Sequence, residues 1–380
     1  MRILQQGRLP IKAWAEDIDE GALQQAINIS NLPFAYSHVV LLPDVHEGFG
    51  MPIGCVLAAD GIVIPNAVGV DIGCGVRVLK TDVKVINEDE ISEIIKMVKK
   101  AIPVGFKHHK EPQSWEGFEK APNIDIIGRE IESAKRQLGT LGGGNHFCSI
   151  EKGSDGYIWL MLHSGSRNLG FKVANHFDKQ AKISNKREKI VPPSYNLAPL
   201  ELESNVGKEY FAAMKFCLEF AKMNRGKMAD RFFRIFSAVT GAQKIEKVID
   251  SHHNYAAVEE HYSRKVIVHR KGAIKAAYGD KGIVPGSMGT PSYIVEGVGN
   301  PDSFMSSAHG AGRVMSRKQA NKVITEEIAN RAMQGIVYGD WKGDFSEAPP
   351  AYKDIDMVIK AQSDLTRILL KLEPLGVIKG

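Results

Sequence analysis

Six short segments set histidine, or aspartate with cysteine, among residues that carry little or no side chain. They are PDVHEGFGMPIG (43–54), VGVDIGCGV (68–76), LGGGNHF (141–147), LHSGSRNLG (162–170), DSHHNYA (250–256) and SSAHGAGR (306–313). Small neighbours let backbone approach a bound group closely and let amide N–H groups face an anion. Asp71 and Cys74, three apart on a glycine-rich turn, are spaced to present a carboxylate and a thiolate to one point. Imidazoles from distant strands would complete a site for one or two metal ions, with neutral histidine and ionised cysteine as the ligating forms. A single histidine beside a buried strand is ordinarily a hydrogen-bonded core residue. The recurrence of the pattern across the chain, rather than any one residue, points to a site.

A chain of 380 residues with 43% hydrophobic content can bury a large core, which excludes a disordered chain or a disulfide-stapled mini-protein. The net charge of +5 permits a polyanionic partner without requiring one, since nucleic-acid binding depends on clustered cations. No window reaches the roughly 18 uncharged apolar residues of a membrane span, and the N-terminus lacks an apolar signal core, so a cytoplasmic location is expected. Cys55, Cys74, Cys148 and Cys217 form no C-x-x-C pair, which excludes a zinc ribbon and leaves reduced thiols free to ligate.

No repeat or linker divides the chain, so residues 1–380 are expected as one catalytic body, with a helical insertion over 200–240. Acidic residues followed by helical spacing predict a first helix over 17–31, and helical spacing returns at 88–101 and 125–138. Short β-rich runs at 38–43, 53–59 and 76–81 read as buried strands between tight loops. Further strands are expected at 145–151, 157–163, in KVIVHRKG, SYIVEG and GIVYGD, and in the closing TRILLKLEPLGVIKG. The apolar spacing over 200–238 predicts a long helix, or a pair broken near Gly226, and SRKQANKVITEEIAN reads as one helix. Strands and helices mixed without a βαβ repeat predict an α+β fold of mixed or antiparallel sheets with surrounding helices.

The segments PDVHEGFGMPIG, VGVDIGCGVR, GTLGGGNHF, LHSGSRNLG, HHNYA, PGSMGTPSY, SSAHGAGRVMSR, EAPPAYKD and the terminal KG resemble the ordered motifs of the RtcB family of RNA-splicing ligases, from about residue 40 to residue 380. The resemblance implies an enzyme dependent on GTP and Mn²⁺ that joins RNA 3′-phosphate or 2′,3′-cyclic phosphate ends to 5′-hydroxyl ends, in RNA repair or tRNA splicing. It also leaves room for an activating helper protein. Metal ligands are implied at Asp71, Cys74, His146, His163 and His253; His253 is preferred to His252 because the family ligand directly precedes asparagine, here Asn254. The resemblance makes His309 the nucleophile that accepts the nucleotide and suggests Asp44 as a base toward the incoming hydroxyl, against a plain reading as a turn-capping carboxylate. Nucleotide contacts are implied at Asn145, Ser287, Ser292, Tyr352 and Lys379. Thiolate and imidazole ligands favour zinc by intrinsic affinity, so manganese rests on the resemblance alone.

The chain departs from the family at one place. After Asn145, His146 and Phe147 the family carries an apolar residue and then a glutamate suited to guanine N1 and N2, whereas this chain has Cys148 and Ser149. Glu151 shares the face of Ser149 but lies about 6.6 Å further along an extended strand, too far for simple replacement. Losing that carboxylate would cost about 1.5 to 3 kcal/mol of base recognition.

Gly142–Gly144 resembles a phosphate nest, although no P-loop pattern is present. Arg313 and Arg317 are read as phosphate clamps or as a solvated helix start. Basic clusters at 96–110, 179–189 and 222–234, the last interleaved with Phe232 and Phe233, are read as an RNA track or as solvated faces. Two other functions compete with ligation: a metal-dependent phosphoesterase that opens cyclic phosphates without sealing, favoured by Ser149, and a non-catalytic RNA-binding paralogue.

Overall fold

Glycine and proline punctuation resolves, in a computed structural model that describes residues 1–380, into an α+β fold with two main sheets. The first sheet has the order β1 (Arg2–Leu4), β2 (Ile11–Ala13), β3 (Ala35–His46), β4 (Ile53–Ala59), β12 (Arg264–Lys271) and β11 (Asn254–His261). The second runs β10 (Ile245–His252), β6 (Gly75–Thr81), β8 (Ile158–Ser164), β7 (Phe147–Gly153), β17 (Thr366–Lys379), β15 (Ser292–Gly297) and β14 (Lys281–Val284). Two small ladders join β13 (Ala273–Lys275) to β16 (Ser306–Ala308) and β5 (Ile62–Val63) to β9 (Leu200–Glu201). The β2–β3 ladder is parallel; the neighbouring strands are otherwise antiparallel.

The period-2 alternation of sheet two decides where the chemistry lies. Cys148 and Ile150 on β7, with Leu160 and Leu162 on β8, pack beneath the sheet against α3 (Glu88–Ala101) and α6 (Asn205–Thr240). The opposite face carries Phe147, Ser149 and Glu151, paired in register with His163, Met161 and Trp159. Helix α3 forms because Asn87 and Glu90 close a capping box, three acidic residues occupy its first turn and two lysines its last, and Ile91, Ile94, Ile95 and Val98 fall on one buried stripe.

Helix α6 is unbroken. Gly226 does not interrupt it: the helix runs from the Ser204 cap to Gly241, whose positive φ ends it, and a side chain at 226 would crowd the Arg77 guanidinium. Its Tyr210, Met214 and Phe220 enter the core shared with α4 (Asp125–Gln137) and α5 (Arg167–Glu188), and Met228, Phe232 and Phe236 enter the core under sheet two.

Helix α5 has no counterpart among the expected elements, because its lysines and arginines obscure the buried stripe Leu169, Val173, Phe177 and Ala181. The expected single helix over 316–330 is two, α7 (Arg317–Val323) and α8 (Glu326–Ala332), because Thr325 leaves the helical path to cap the second through its side chain. GIVYGD forms no strand; Val337 makes only an isolated bridge with Gly376, beside a bulge in β17. The remaining helices are α1 (Glu20–Ser30), α2 (Pro65–Val68) and α9 (Ile355–Ala361). No helix is long and apolar enough to cross a membrane.

Candidate active site

The shared end of four neighbouring strands of sheet two, β10, β6, β8 and β7, brings the donors together. Cys74 immediately precedes β6, His163 lies near the end of β8, His146 stands just before β7, and His253 is the single residue between β10 and β11. Cys74 Sγ lies 3.2 Å from His163 Nε2 and 3.4 Å from His146 Nε2. His163 Nε2 is 3.4 Å from His253 Nε2, and Asp71 Oδ2 is 3.0 Å from His146 Nε2. The donors form two groups sharing one sulfur, Cys74–His163–His253 and Asp71–Cys74–His146, and within each group the donor atoms lie within 4.8 Å of one another.

The rings are oriented from behind. His146 Nδ1 donates to the Leu141 carbonyl at 2.9 Å and His163 Nδ1 to the Asn145 carbonyl at 3.0 Å, so both Nε2 lone pairs face the centre. Gly165 is needed here because a Cβ at that position would run into the Asp71 carboxylate. The donor set fits a divalent cation. Burial, then the adjacent imidazoles, pull His163 and His253 well below the usual histidine range and keep them in the neutral ligating form. Burial and the Asp71 carboxylate push the Cys74 thiol up, so a thiolate there requires a cation beside it. Burial acts most strongly on Asp71, but the hydrogen bond and charge of His146, the Cys74 hydrogen bond and the Arg167 charge together outweigh it and hold the carboxyl below its ordinary range.

His309 follows β16, with its ring 4.6 Å from that of His253. Its Nδ1 lies 2.7 Å from Asp44 Oδ2, which also accepts the His309 backbone N–H at 3.0 Å. Gly312, with φ +76°, lets this loop pass against the Asp44 backbone, where a Cβ would clash. Asp44 is fully buried on β3 and does not line the cleft. This differs from the expectation of a base facing an incoming hydroxyl: its carboxylate lies behind the imidazole and holds it, leaving His309 Nε2 free.

A cleft of about 810 Å³ joins these groups. It is lined by Asp71, Cys74, His146, His163, His253 and His309, and also by Asn145, Ser287, Ser292, Tyr352 and Lys379. Ser287 Oγ is 2.9 Å from Thr290 Oγ1, and buried Ser292 accepts from the Gly286 N–H at 3.2 Å. Tyr352 donates to Glu347, while Lys379 pairs with Asp344 at 2.7 Å. Burial and the Glu347 carboxylate push the Tyr352 phenol up.

Several sequence readings change here. Arg313 and Arg317 do line the cleft, but both are held by buried Glu347, at 3.2 and 2.7 Å. Phe232 is fully buried and Phe233 packs against the same core, so they form no stacking platform in a basic track. Arg225, from the same basic cluster, is completely buried; it donates to the Gly73 and Ser164 carbonyls, both at 2.9 Å, and grips Asp250 through Nη2 at 2.6 Å. His252 contacts Arg225 at 3.0 Å and stands outside the donor cluster.

Sequence reasoning missed Glu347, Arg225 and its neighbour Asn224, which bonds Gly139, Thr140, Ser164 and Gly165. A signal existed for the pair on α6: Asn224 and Arg225 interrupt the apolar stripe between Ala221 and Met228, where polar residues need partners.

Histidine, cysteine and aspartate donors gathered beside a large cleft define a protein with a candidate metal site. Comparison with known proteins then narrows the class. The family model described as tRNA-splicing ligase RtcB matches residues 25–121 and 116–380. The chain is 35% identical to the RNA-splicing ligase RtcB of Escherichia coli strain K12, over 98% of this chain and 97% of that protein. It is 32% identical to the RNA-splicing ligase RtcB of Mycobacterium tuberculosis, over 94% of this chain and 100% of that protein. With the tRNA-splicing ligase RtcB of Thermococcus kodakarensis it shares 30% identity, over 98% of this chain and 95% of that protein. The chain belongs to the RtcB family.

Proposed function

We propose that the chain is an RNA ligase, a single catalytic domain that joins a 3′-phosphate or 2′,3′-cyclic phosphate RNA end to a 5′-hydroxyl end through a covalent His309–GMP intermediate. The observation that carries this reading is the Asp44–His309 pair. The 2.7 Å contact fixes the proton on Nδ1 and leaves the Nε2 lone pair at the cleft, beside the donor cluster.

Nε2 attacks the α-phosphorus of GTP; a P–N bond forms, the bond to the β-phosphate bridging oxygen breaks, and pyrophosphate leaves. Asp44 stabilises the positive charge that develops on the imidazole as it becomes a nucleophile. The RNA 3′-phosphate then takes the guanylyl group, restoring His309, and the 5′-hydroxyl attacks the activated phosphate, losing its proton and expelling GMP. A cyclic end is first opened by water to the 3′-phosphate. Mn²⁺ held by Asp71, Cys74, His146, His163 and His253 would offset charge on phosphate oxygens. Asn145, Ser287, Ser292, Tyr352 and Lys379 line the space where the nucleotide is bound and oriented.

The test is incubation with GTP labelled at its α-phosphate in the presence of Mn²⁺. Label is expected on His309, and His309→Ala is expected to abolish it while the metal content of the protein stays unchanged. A wild-type chain that takes no label yet still opens cyclic phosphates is a phosphoesterase, and the ligase reading fails.

A further inference from the structure

Beyond the donor cluster and His309, the cleft contains two buried acidic groups that no step above uses: Glu347, already paired with Arg313, Arg317 and Tyr352, and Glu151, which has no cation beside it. Ser149 and Glu151 both line it from the upper face of β7, and both are almost completely inaccessible. Ser149 Oγ donates to Glu151 Oε1 at 2.7 Å, while Glu151 Oε2 is buried without any hydrogen-bond partner. An unpaired buried carboxyl oxygen is costly, by about 1 to 3 kcal/mol, and marks a group built for a partner not yet present. Phe147, Pro374 and Val377 line the same end of the cleft and supply apolar surface for a flat ring. No free cation accompanies the pair, so this end repels phosphate and suits a base.

The chemistry of the pair selects among bases. A serine hydroxyl alone can donate or accept and therefore discriminates little. With its proton committed to Glu151, it presents only lone pairs to a ligand, and the carboxylate behind it likewise only accepts. Guanine places two donors side by side, N1–H and the N2 amino group. Adenine places the acceptor N1 next to its amino donor, and uracil sets a single N–H between two acceptors. Resting on the reading of this cleft as a nucleotide site, we propose that Ser149 and Glu151 together form the base-recognising pair of this chain and accept hydrogen bonds from guanine N1–H and N2–H. The carboxylate function is thereby displaced two residues along the strand and reaches the ligand with the serine hydroxyl as its front.

The pair carries its own pH signature. Burial, assisted by Glu373 on β17, raises the Glu151 carboxyl to about 8. Glu373 is paired with Lys371, and Lys152, adjacent on β7, is bonded to backbone carbonyls. Across the sheet Glu151 faces Trp159 and Pro374, which carry no charge. Of the cations lining the cleft, Lys379 is paired with Asp344, Arg313 and Arg317 with Glu347, and Lys271 with the Phe49 and Asn66 carbonyls. Below about pH 8 the acid is protonated and the pair regains a donor; above it, the pair only accepts. Preference for guanine over adenine therefore rises with pH.

The experiment is equilibrium binding of GTP and of ATP, each with Mn²⁺, to the full chain carrying His309→Ala, so that no covalent step intervenes. The GTP-to-ATP affinity ratio is expected to rise between pH 6.5 and 8.5. Ser149→Ala and Glu151→Gln, both nearly isosteric, are each expected to lower the ratio at pH 8.5 by about ten- to hundredfold, with Glu151→Gln removing its pH dependence. A ratio that is unchanged in both variants, or near one at pH 8.5 without them, overturns the proposal. Selective binding in a chain whose His309 takes no label would refute the ligase reading and leave the pair standing; label accepted equally from GTP and ATP would do the reverse.

Discussion

The two walls of the cleft are built on different principles. On the donor side, side chains are held mostly by backbone, His146 by the Leu141 carbonyl, His163 by the Asn145 carbonyl and Arg225 by the Gly73 and Ser164 carbonyls that adjoin Cys74 and His163, with the buried Asp44 and Asp250 carboxylates fixing His309 and Arg225. On the side proposed to take the nucleotide, side chains are held by one another: Arg313, Arg317 and Tyr352 share Glu347, Lys379 takes Asp344, and Ser149 takes Glu151. These carbonyls are fixed by the path of the backbone, in the turns before β6 and β7 and at the end of β8, so the first wall is set before anything binds. Side-chain partners can be exchanged, so the second wall can trade an internal ion pair for a phosphate or a base. On the proposed function, the difference puts preorganisation where atoms react and adaptability where the substrate is gripped.

The hardest test of the fixed wall is Asp44→Asn. The amide would donate to His309 Nδ1 in place of accepting from it, moving the ring proton to Nε2 and removing the attacking lone pair. Covalent labelling is expected to slow about 10²- to 10⁴-fold, measured as the single-turnover rate with GTP, while metal content stays at the wild-type level. A smaller effect follows from Arg225→Lys. A lysine keeps the charge but cannot reach Asp250 and two carbonyls at once, so the segments carrying Cys74 and His163 lose a shared anchor. Metal affinity, read by titration of the metal-free protein, is expected to fall about 10- to 100-fold. Unchanged affinity would show that the strands position the donors without Arg225.

The same contrast explains what could be read from the sequence. The fixed wall was largely legible, because its donors other than His253 sit in glycine-flanked segments where another part of the site packs close: Gly165 against Asp71, Gly312 against Asp44. Strands β4, β6 and β8 also follow from local pattern, as short apolar runs buried between two cores, and helices α3 and α4 as stripes facing one. The adaptable wall was less legible because its partners are distant in the chain. Nothing near Arg313 announces Glu347, thirty-four residues on, and Ser149 reads as a lost carboxylate until the strand shows Glu151 bonded to it. Tertiary need also overrode local pattern in α6, where Gly226 passes Arg77 without breaking the helix, and in GIVYGD, whose strand-like composition has no open ladder to join.

The smallest expected effect, and the one that most sharpens the comparison, belongs to Arg317→Ala. Arg317 is 55% exposed while its partner Glu347 is 3% exposed, so the carboxylate, not the cation, is the buried member. Glu347 retains Arg313 and Tyr352 after the substitution and is not left unpaired. To contact a phosphate, Arg317 must give up Glu347, and one charge-assisted bond replaces another in a solvated setting, where a single ion pair is worth about 0.2 to 1 kcal/mol. GTP affinity is therefore expected to fall by less than about fivefold, with the unfolding midpoint unchanged. A loss of a hundredfold would mean that Arg317 is no exchangeable partner but part of the fixed machinery, and the division between the two walls would have to be redrawn through Glu347.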